Sequence, residues 1–495
     1  MDLKRSQRFH ALLIVSVILL VGGVSMVSHA QQKKIEDVAI TRAVENKLLR
    51  DDMISAHLLD VTTREGIVTF TGKVDNILAR ERAIRIAEAV KGVRAIVDRI
   101  EVKPVVRLDS AIKLDVETAL LEDPVADSYE LQVAVDDSVV TLKGEVESWV
   151  EEQLAVKIAK SIRGVRKVED EIDIHYTAKR SDFEINQEIK KRMNLDPYLE
   201  SDLLTVEVDD GVVRLDGSVG SLAEKSIAEI DSWVTGVSEV KVEDVAVDFW
   251  LGNEMRRKKK INIKGDDEIK RAVQDALFYD PRTLSFKIDV SVSNGIVSLY
   301  GTVDNLRAKK KAGINARNTL GVVTVRNYIK VRAAEEPSDE IVKDRVENAF
   351  GRDYLLNRFD FTINVRNQKV YLYGLVDNVY ERRRAGMIAA GVPGVAEIAN
   401  YVDIRPEKER SEDAVLKEDI EDELFWSVFV GSDDITVKVD DGAATLTGQV
   451  SDWQEYYAAV DNAFEAGAAA VVSKLKVQDG AEIIERFEDP VFYVY

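Results

Sequence analysis

Two hydrophobic patterns alternate along the chain. At Val133 and Val135, or at Val206 and Val208, apolar residues occupy every second position, a period that puts them on one face of a β-strand. From Trp149 through Ile162 they fall at helical spacing, and Ile112, Val116 and Leu120, like Ile269, Val273 and Leu277, mark a further kind of helix. Between paired alternating stretches stand Glu65-Gly66, Asp210-Gly211, Asn294-Gly295 and Asp441-Gly442, with Asp137-Ser138 and Asn367-Gln368 as weaker versions. These residues tolerate the positive φ of tight hairpin turns. A last alternating stretch follows the second helix, as at Ile172 and Ile174 or Ile329 and Val331. The order that emerges is helix, strand, strand, helix, strand.

That order recurs six times. Gly72, Gly144, Gly217, Gly301, Gly374 and Gly448 are separated by 72, 73, 84, 73 and 74 residues. An apolar residue stands two positions before each (Phe70, Leu142, Leu215, Leu299, Leu372, Leu446), and valine two after (Val74, Val146, Val219, Val303, Val376, Val450). These glycines fall inside a strand, where a missing side chain admits a closely packed helix or a bulge. A second glycine, 19 or 20 residues on (Gly92, Gly164, Gly236, Gly321, Gly394, Gly467), is expected to end the second helix. In three copies Asp-Pro (Asp123-Pro124, Asp196-Pro197, Asp280-Pro281) stops the first helix.

The expected fold is α+β: six tandem small α-β-β-α-β domains, each a three-stranded mixed sheet with two helices on one face. The units are 31–103, 104–180, 181–248, 265–336, 337–410 and 411–495, with a basic insert at 249–264 and a leader at 1–30. A unit of this size buries little surface alone, so contacts between neighbours should matter.

The unit resembles the BON domain, named for bacterial osmotically induced and nodulation proteins. The apolar-x-Gly-x-Val strand and the following Gly-Val carry the resemblance, as in Leu142-Lys143-Gly144-Glu145-Val146 with Gly164-Val165. It covers nearly all of the chain after the leader, and the sixth copy departs from it with Ala468 in place of valine. The resemblance implies a periplasmic or envelope location, association with phospholipid or envelope components, a part in osmotic stress protection, and no catalysis.

Residues 1–30 read as a signal peptide. Lys4, Arg5 and Arg8 precede an apolar run from Ala11 to Val24, and Ser28-His29-Ala30 is a small-x-small cleavage pattern. An uncleaved inner-membrane anchor is the alternative, since Ala11 to Val27 is slightly short of the ~20 residues that span a bilayer. Either way the bulk lies outside the cytosol. The chain has 495 residues, too many for one core, and no cysteine, which excludes disulfides and thiolate chemistry. Its net charge of -21 argues against a nucleic-acid partner.

Catalytic chemistry finds little footing. After the leader only His57 and His175 remain, in different copies, and no phosphate-cradling or metal-binding spacing occurs. The aspartates at Asp136-Asp137, Asp209-Asp210 and Asp440-Asp441 have the look of cation ligands, but the turn they occupy accounts for them. No metal, no cofactor and no enzyme is expected. Trp149 and Trp453 take the place of Ile77, Leu222, Leu306 and Val379 and read as core.

Charge separates the copies. The sixth (411–495) carries -15, whereas the fourth (265–336) carries +3 and the fifth (337–410) is neutral. The insert runs Phe249, Trp250, then Arg256, Arg257, Lys258, Lys259 and Lys260, a pattern that suits an anionic phospholipid surface or a solvated linker whose aromatics pack on the third unit. Arg307 with Lys309, Lys310 and Lys311, and Arg382, Arg383 and Arg384, open the second helices of units four and five, where lipid contact competes with ordinary solvation. The outward strand face of unit five carries Tyr371, Tyr373 and Leu375 and suggests an interface. Phe492 to Tyr495 is either a peptide handle or a strand completing the last unit. The expected function is an envelope binding protein that contacts anionic membrane, with a protein-interaction scaffold or chaperone-like array as the alternative.

Overall fold

The computed structural model describes residues 35–477 and 485–487, apart from short interruptions in loops and a longer one at 252–264. In all six units the hairpin strands pair antiparallel and the third strand pairs parallel with the second, which is central. In unit five the strands are Phe361–Arg366, Lys369–Val376 and Glu397–Ile404, with helices Asp339–Arg352 and Val379–Ala390. Ile363, Val370, Leu372 and Val402 on the inner sheet face meet Val342, Val346 and Phe350 of the first helix and Ala385 and Ala389 of the second. The second helices turn small residues toward the sheet: Ala79, Ala83 and Ala87 in unit one, Ala308, Ala312 and Ala316 in unit four. It is these alanines, one turn apart, that let helix and sheet approach. The six strand glycines act elsewhere. Each lies opposite the start of the first hairpin strand, where a Cβ at Gly217, for example, would stand 2.1 Å from the Leu203 carbonyl oxygen.

Gly467 does end the second helix of unit six, since it follows the C-cap Ala466 and the N–H groups of Gly467 and Ala468 bond back to the Phe464 and Ala463 carbonyls. The other later glycines correct an expectation. In unit one the second helix ends at Glu88, and Gly92, with φ 91°, bends the chain into the third strand instead of capping the helix. Units three and four split the third strand in two, and unit six gains a further strand, Glu485–Phe487, antiparallel to its third. Phe492 to Tyr495 lie outside the described residues, as do the leader and His57.

Two devices recur in every copy. An asparagine, serine or aspartate (Asn76, Ser148, Ser221, Asn305, Asn378, Asp452) caps the second helix by accepting a backbone N–H three residues on. An aspartate in the first turn of the first helix (Asp37, Asp109, Asp182, Asp266, Asp339, Asp413) accepts both backbone N–H groups of the hairpin turn, at 2.8 to 3.1 Å. This clamp explains why Ser138 and Gln368 hold φ values of 63° and 62° without being glycine. These aspartates are spaced as the glycines are, so the repeat register could have found them. Asp182→Ala should cost roughly 2 kcal/mol, from two hydrogen bonds to a charged acceptor in a half-exposed setting, and Asp182→Asn about half of that. Chemical denaturation followed by far-ultraviolet circular dichroism measures both.

From Asp37 onward the chain forms one compact body in which contacts join units distant in sequence. Unit one meets unit six: Val90 bridges Ser427, Val428 donates to the Ala89 carbonyl at 3.2 Å, and Glu423, almost wholly buried, takes Lys47 and Arg50. Unit two meets unit five through the Ile162 to Asp353 bridge and the Arg352–Glu122 pair. Units three and six share a hydrophobic cluster in which the rings of Tyr198 and Phe429 meet edge to face at 5.1 Å. Trp149 corrects another expectation, because it is half-buried and stacks on Trp233 of unit three at 5.3 Å, joining two units and not filling one core. Trp453 packs against Tyr456 and Tyr457 at the edge of the cluster shared by units three and six.

Candidate binding surfaces

The second helices of different units face one another, and that placement decides the fate of their charges. In units one, four and five a cation at the same helical position pairs with the aspartate that ends the unit's own first helix: Arg82 with Asp51 at 2.8 Å, Lys311 with Asp280 at 3.3 Å, and Arg384 with Asp353. Unit two has Leu154 at that position. Its aspartate, Asp123, is served from unit four by Arg282 at 3.1 Å and Arg307 at 2.6 Å. Burial works to raise the Asp123 pKa, but the two guanidinium groups win and hold it below the ordinary range. Arg307 shares one carboxylate with Arg282, and burial together with that neighbour draws its pKa down to about 10 although Asp123 opposes.

At Arg307, Lys311 and Arg384, where the sequence sets lipid contact against ordinary solvation, the structure places ion pairs. Arg384 is buried and Arg307 reaches across to unit two, while Lys311 stays 40% exposed in its pair with Asp280. Lys309, Arg382 and Arg383 are half-buried and Lys310 is exposed, with Asp461 of unit six acting on Arg383. Phe249 is half-buried in a helical turn, while Trp250 and Arg256 to Lys260 lie outside the described residues. The structure brings the clusters of units four and five together, since Arg383 and Arg307 both act on Lys310.

The outward sheet faces offer a different surface. In unit five Tyr373 is paired across the strands with Tyr401, and the rings stack at 5.4 Å with 21° between planes. Unit four repeats this with Tyr300 and Tyr328 at 5.2 Å and 17°. All four rings are open to solvent, between 40% and 56% exposed. Where unit five has Tyr373 and Tyr401, unit two has Lys143 and Glu171, unit one Thr71 and Arg99, and unit six Thr447 and Lys474. Lys369 lies over the Tyr371 ring at 5.7 Å, and Leu375 is exposed beside the pair. Of this surface only Tyr371, Tyr373 and Leu375 stand out in the sequence. Tyr300, Tyr328 and Tyr401 escape notice there, because only the register of the third strand reveals which tyrosines become neighbours.

Catalytic groupings are not found among the described residues: no three histidine, aspartate or glutamate side chains could hold a metal ion, and His175 is exposed with only Glu145 at 3.7 Å. No helix among the described residues is long and apolar enough to cross a membrane.

Comparison with known proteins agrees with this repeated architecture. The chain is 38% identical over 140 residues to "Osmotically-inducible protein Y" of Escherichia coli (strain K12), a match spanning 27% of this chain and 70% of that protein. It is 28% identical over 140 residues to an "Uncharacterized protein in gshII 5'region" of Anaplasma centrale, covering 27% of this chain and 91% of that one. Among solved structures, the C-terminal domain of CdsD, a structural protein of the Type III secretion system of Chlamydia trachomatis, is 12% identical over 43% of this chain and all of that domain. Its TM-score of 0.12 is too low to bear on the fold. The family model of the BON domain matches residues 36–104, 108–175, 181–248, 265–333, 338–406 and 412–479. With six matches laid over the six sheets described above, the chain belongs to the BON domain family.

Proposed function

We propose that this is an exported, non-enzymatic envelope protein of the osmotic stress response that binds anionic phospholipid surfaces through the outer sheet faces of units four and five. The similarity to an osmotically inducible protein supports the setting. The observation that carries the binding reading is the pair of solvent-exposed tyrosine stacks, present in the two adjacent units whose sequences are basic or neutral and replaced by polar residues in units one, two and six. Tyrosine rings sit well at the headgroup level of a bilayer, with an apolar body and a polar tip. Basic side chains add about 1 kcal/mol each near an anionic surface. The insert residues Phe249, Trp250 and Arg256 to Lys260 join the same proposal as a second, cationic contact, and Lys309, Lys310, Arg382 and Arg383 contribute only as far as the packing of the second helices exposes them.

Co-sedimentation with vesicles rich in phosphatidylglycerol is the test. The protein should pellet with them at low salt and less at high salt. Tyr373→Ser combined with Tyr401→Ser, both at exposed positions, should lower the bound fraction about fivefold, on the order of 1 kcal/mol for two interfacial rings. Charge reversal at Arg256 to Lys260 should lower it further. Equal pelleting with neutral vesicles, or none with either, removes the lipid reading and favours a protein-binding scaffold.

A further inference from the structure

Tyrosine takes the two stacked positions of the outer sheet face together or not at all. Tyr300 and Tyr373 each stand immediately before the strand glycine, and Tyr328 and Tyr401 each follow 28 residues later. In unit three the same two positions hold Asp216 and Asp244, and in units one, two and six neither is aromatic. An apolar anchor needs only one ring. Two phenols kept in step point to chemistry that uses both.

Backbone pairing holds each pair in place. Tyr373 and Tyr401 are register partners on parallel strands, and the Tyr328 N–H donates to the Leu299 carbonyl at 2.9 Å, which sets Tyr328 beside Tyr300. Ring centroids lie 5.4 and 5.2 Å apart with planes 21° and 17° from parallel, so the two phenols of each pair lie alongside one another. Each of the four rings is at least 40% exposed. Tyr456 and Tyr457 make a contrast at 5.1 Å, because their planes stand 81° apart and Tyr456 is wholly buried. The chain has no cysteine, so no disulfide can tie its strands.

We propose that Tyr300 with Tyr328, and Tyr373 with Tyr401, are oxidative cross-linking sites, at which a peroxide-driven one-electron oxidant of the haem peroxidase class converts each pair to dityrosine within the chain. Each phenol gives up one electron and its hydroxyl proton. The two phenoxyl radicals carry spin at the carbons ortho to oxygen and join there by a carbon–carbon bond. The hydrogen on each joined carbon then moves to the oxygen of its own ring, which restores both phenols. The two electrons and two protons released reduce one hydrogen peroxide to two waters. Phenols held side by side couple with each other in preference to a phenol of another chain. Each bridge closes a loop of 28 residues that contains the second helix, and a cross-link of that kind stabilises by restricting the unfolded chain. In unit four it fastens the third strand at its break, between Thr324–Asn327 and Lys330–Val331. Coupling needs only exposure and adjacency, and does not depend on the same faces meeting lipid.

Treating the full chain with hydrogen peroxide and a haem peroxidase tests this, read by dityrosine fluorescence and by mass spectrometry of the intact chain and its peptides. The expected product is a monomer lighter by two hydrogens per bridged pair, with peptides joined through Tyr300 and Tyr328 and through Tyr373 and Tyr401. Tyr373→Phe keeps the ring without the phenol and should lower the fluorescence about twofold. Tyr300→Phe added to it should abolish the signal. Oxidation should raise the melting temperature of the unaltered chain and leave that of the double variant where it was. Fluorescence that persists in the double variant overturns the proposal, as do bridges formed mainly between chains. A yield as high in guanidinium chloride as in the folded state overturns it too, since the paired geometry then plays no part. Bridges at both pairs without a rise in melting temperature overturn the stapling role.

Discussion

Replacing Asp353 by alanine should destabilise the protein by about 3 to 5 kcal/mol, the cost of leaving a buried cation without its partner. The Asp353 carboxylate receives Nε of Arg384 at 2.8 Å, a second guanidinium nitrogen, and the backbone N–H groups of Leu355 and Leu356 at 3.0 Å. Both side chains are buried, and the guanidinium also lies over the Tyr354 ring at 4.8 Å. Burial alone would lower the Arg384 pKa, but Asp353 more than offsets it and the net shift is upward, so the arginine stays charged and must be matched. Asp353 also lies at the seam between units two and five, where its backbone bridges Ile162. The double variant Asp353→Ala, Arg384→Met should recover much of the loss, because an apolar pair leaves no charge stranded. Guanidinium chloride denaturation of the two single variants and the double one provides the cycle. A double variant as unstable as the sum of the singles would show that the two side chains act independently.

Gly448→Ala is the second large effect, expected on the order of 3 to 5 kcal/mol. Gly448 has φ 140°, a region closed to residues with a side chain, and a Cβ there would sit 1.9 Å from the Asp434 carbonyl oxygen. That oxygen belongs to backbone just before Ile435, which is paired with Gly448 itself, so relief would require the hairpin to part. Gly374 provides an internal comparison, for it lacks the positive φ, and its nearest atom would be Cδ1 of the Phe361 side chain at 2.9 Å. Gly374→Ala should therefore cost distinctly less. Gly351, inside the helix Asp339–Arg352 with nothing within 4 Å, should tolerate alanine with a gain of about 0.5 to 1 kcal/mol. Melting temperatures of the three variants rank them, and a Gly448→Ala protein as stable as Gly374→Ala would contradict the steric account.

The unit itself was legible because its signals are local. Alternation at Val206 and Val208 sets a strand, Asp210-Gly211 sets a turn, and helical spacing at Ile269, Val273 and Leu277 sets a helix, each within a dozen residues. The clamp by Asp182 and its five counterparts was within reach too, since it keeps the register of the repeat, but it joins residues 28 and 29 apart and so escapes a search for short motifs. The candidate surfaces were read less well. Arg307 and Arg384 stand in basic runs that look solvated, and no local pattern shows that Asp123 or Asp353 waits opposite. Tyr328 and Tyr401 lie 28 residues beyond their stacking partners, and their adjacency depends on the parallel pairing of the third strand.

By itself the sequence determined that this chain makes one α-β-β-α-β unit six times, because periodicity, turns and caps act over short stretches and repeat faithfully. Only the tertiary structure decided how the copies meet: unit one with unit six, unit two with units four and five, and second-helix charges such as Arg307 that find their partner in another unit. Contacts of that kind depend on which residues become neighbours after hundreds of intervening positions. A helix face bears the same charged residues whether water or another unit lies against it.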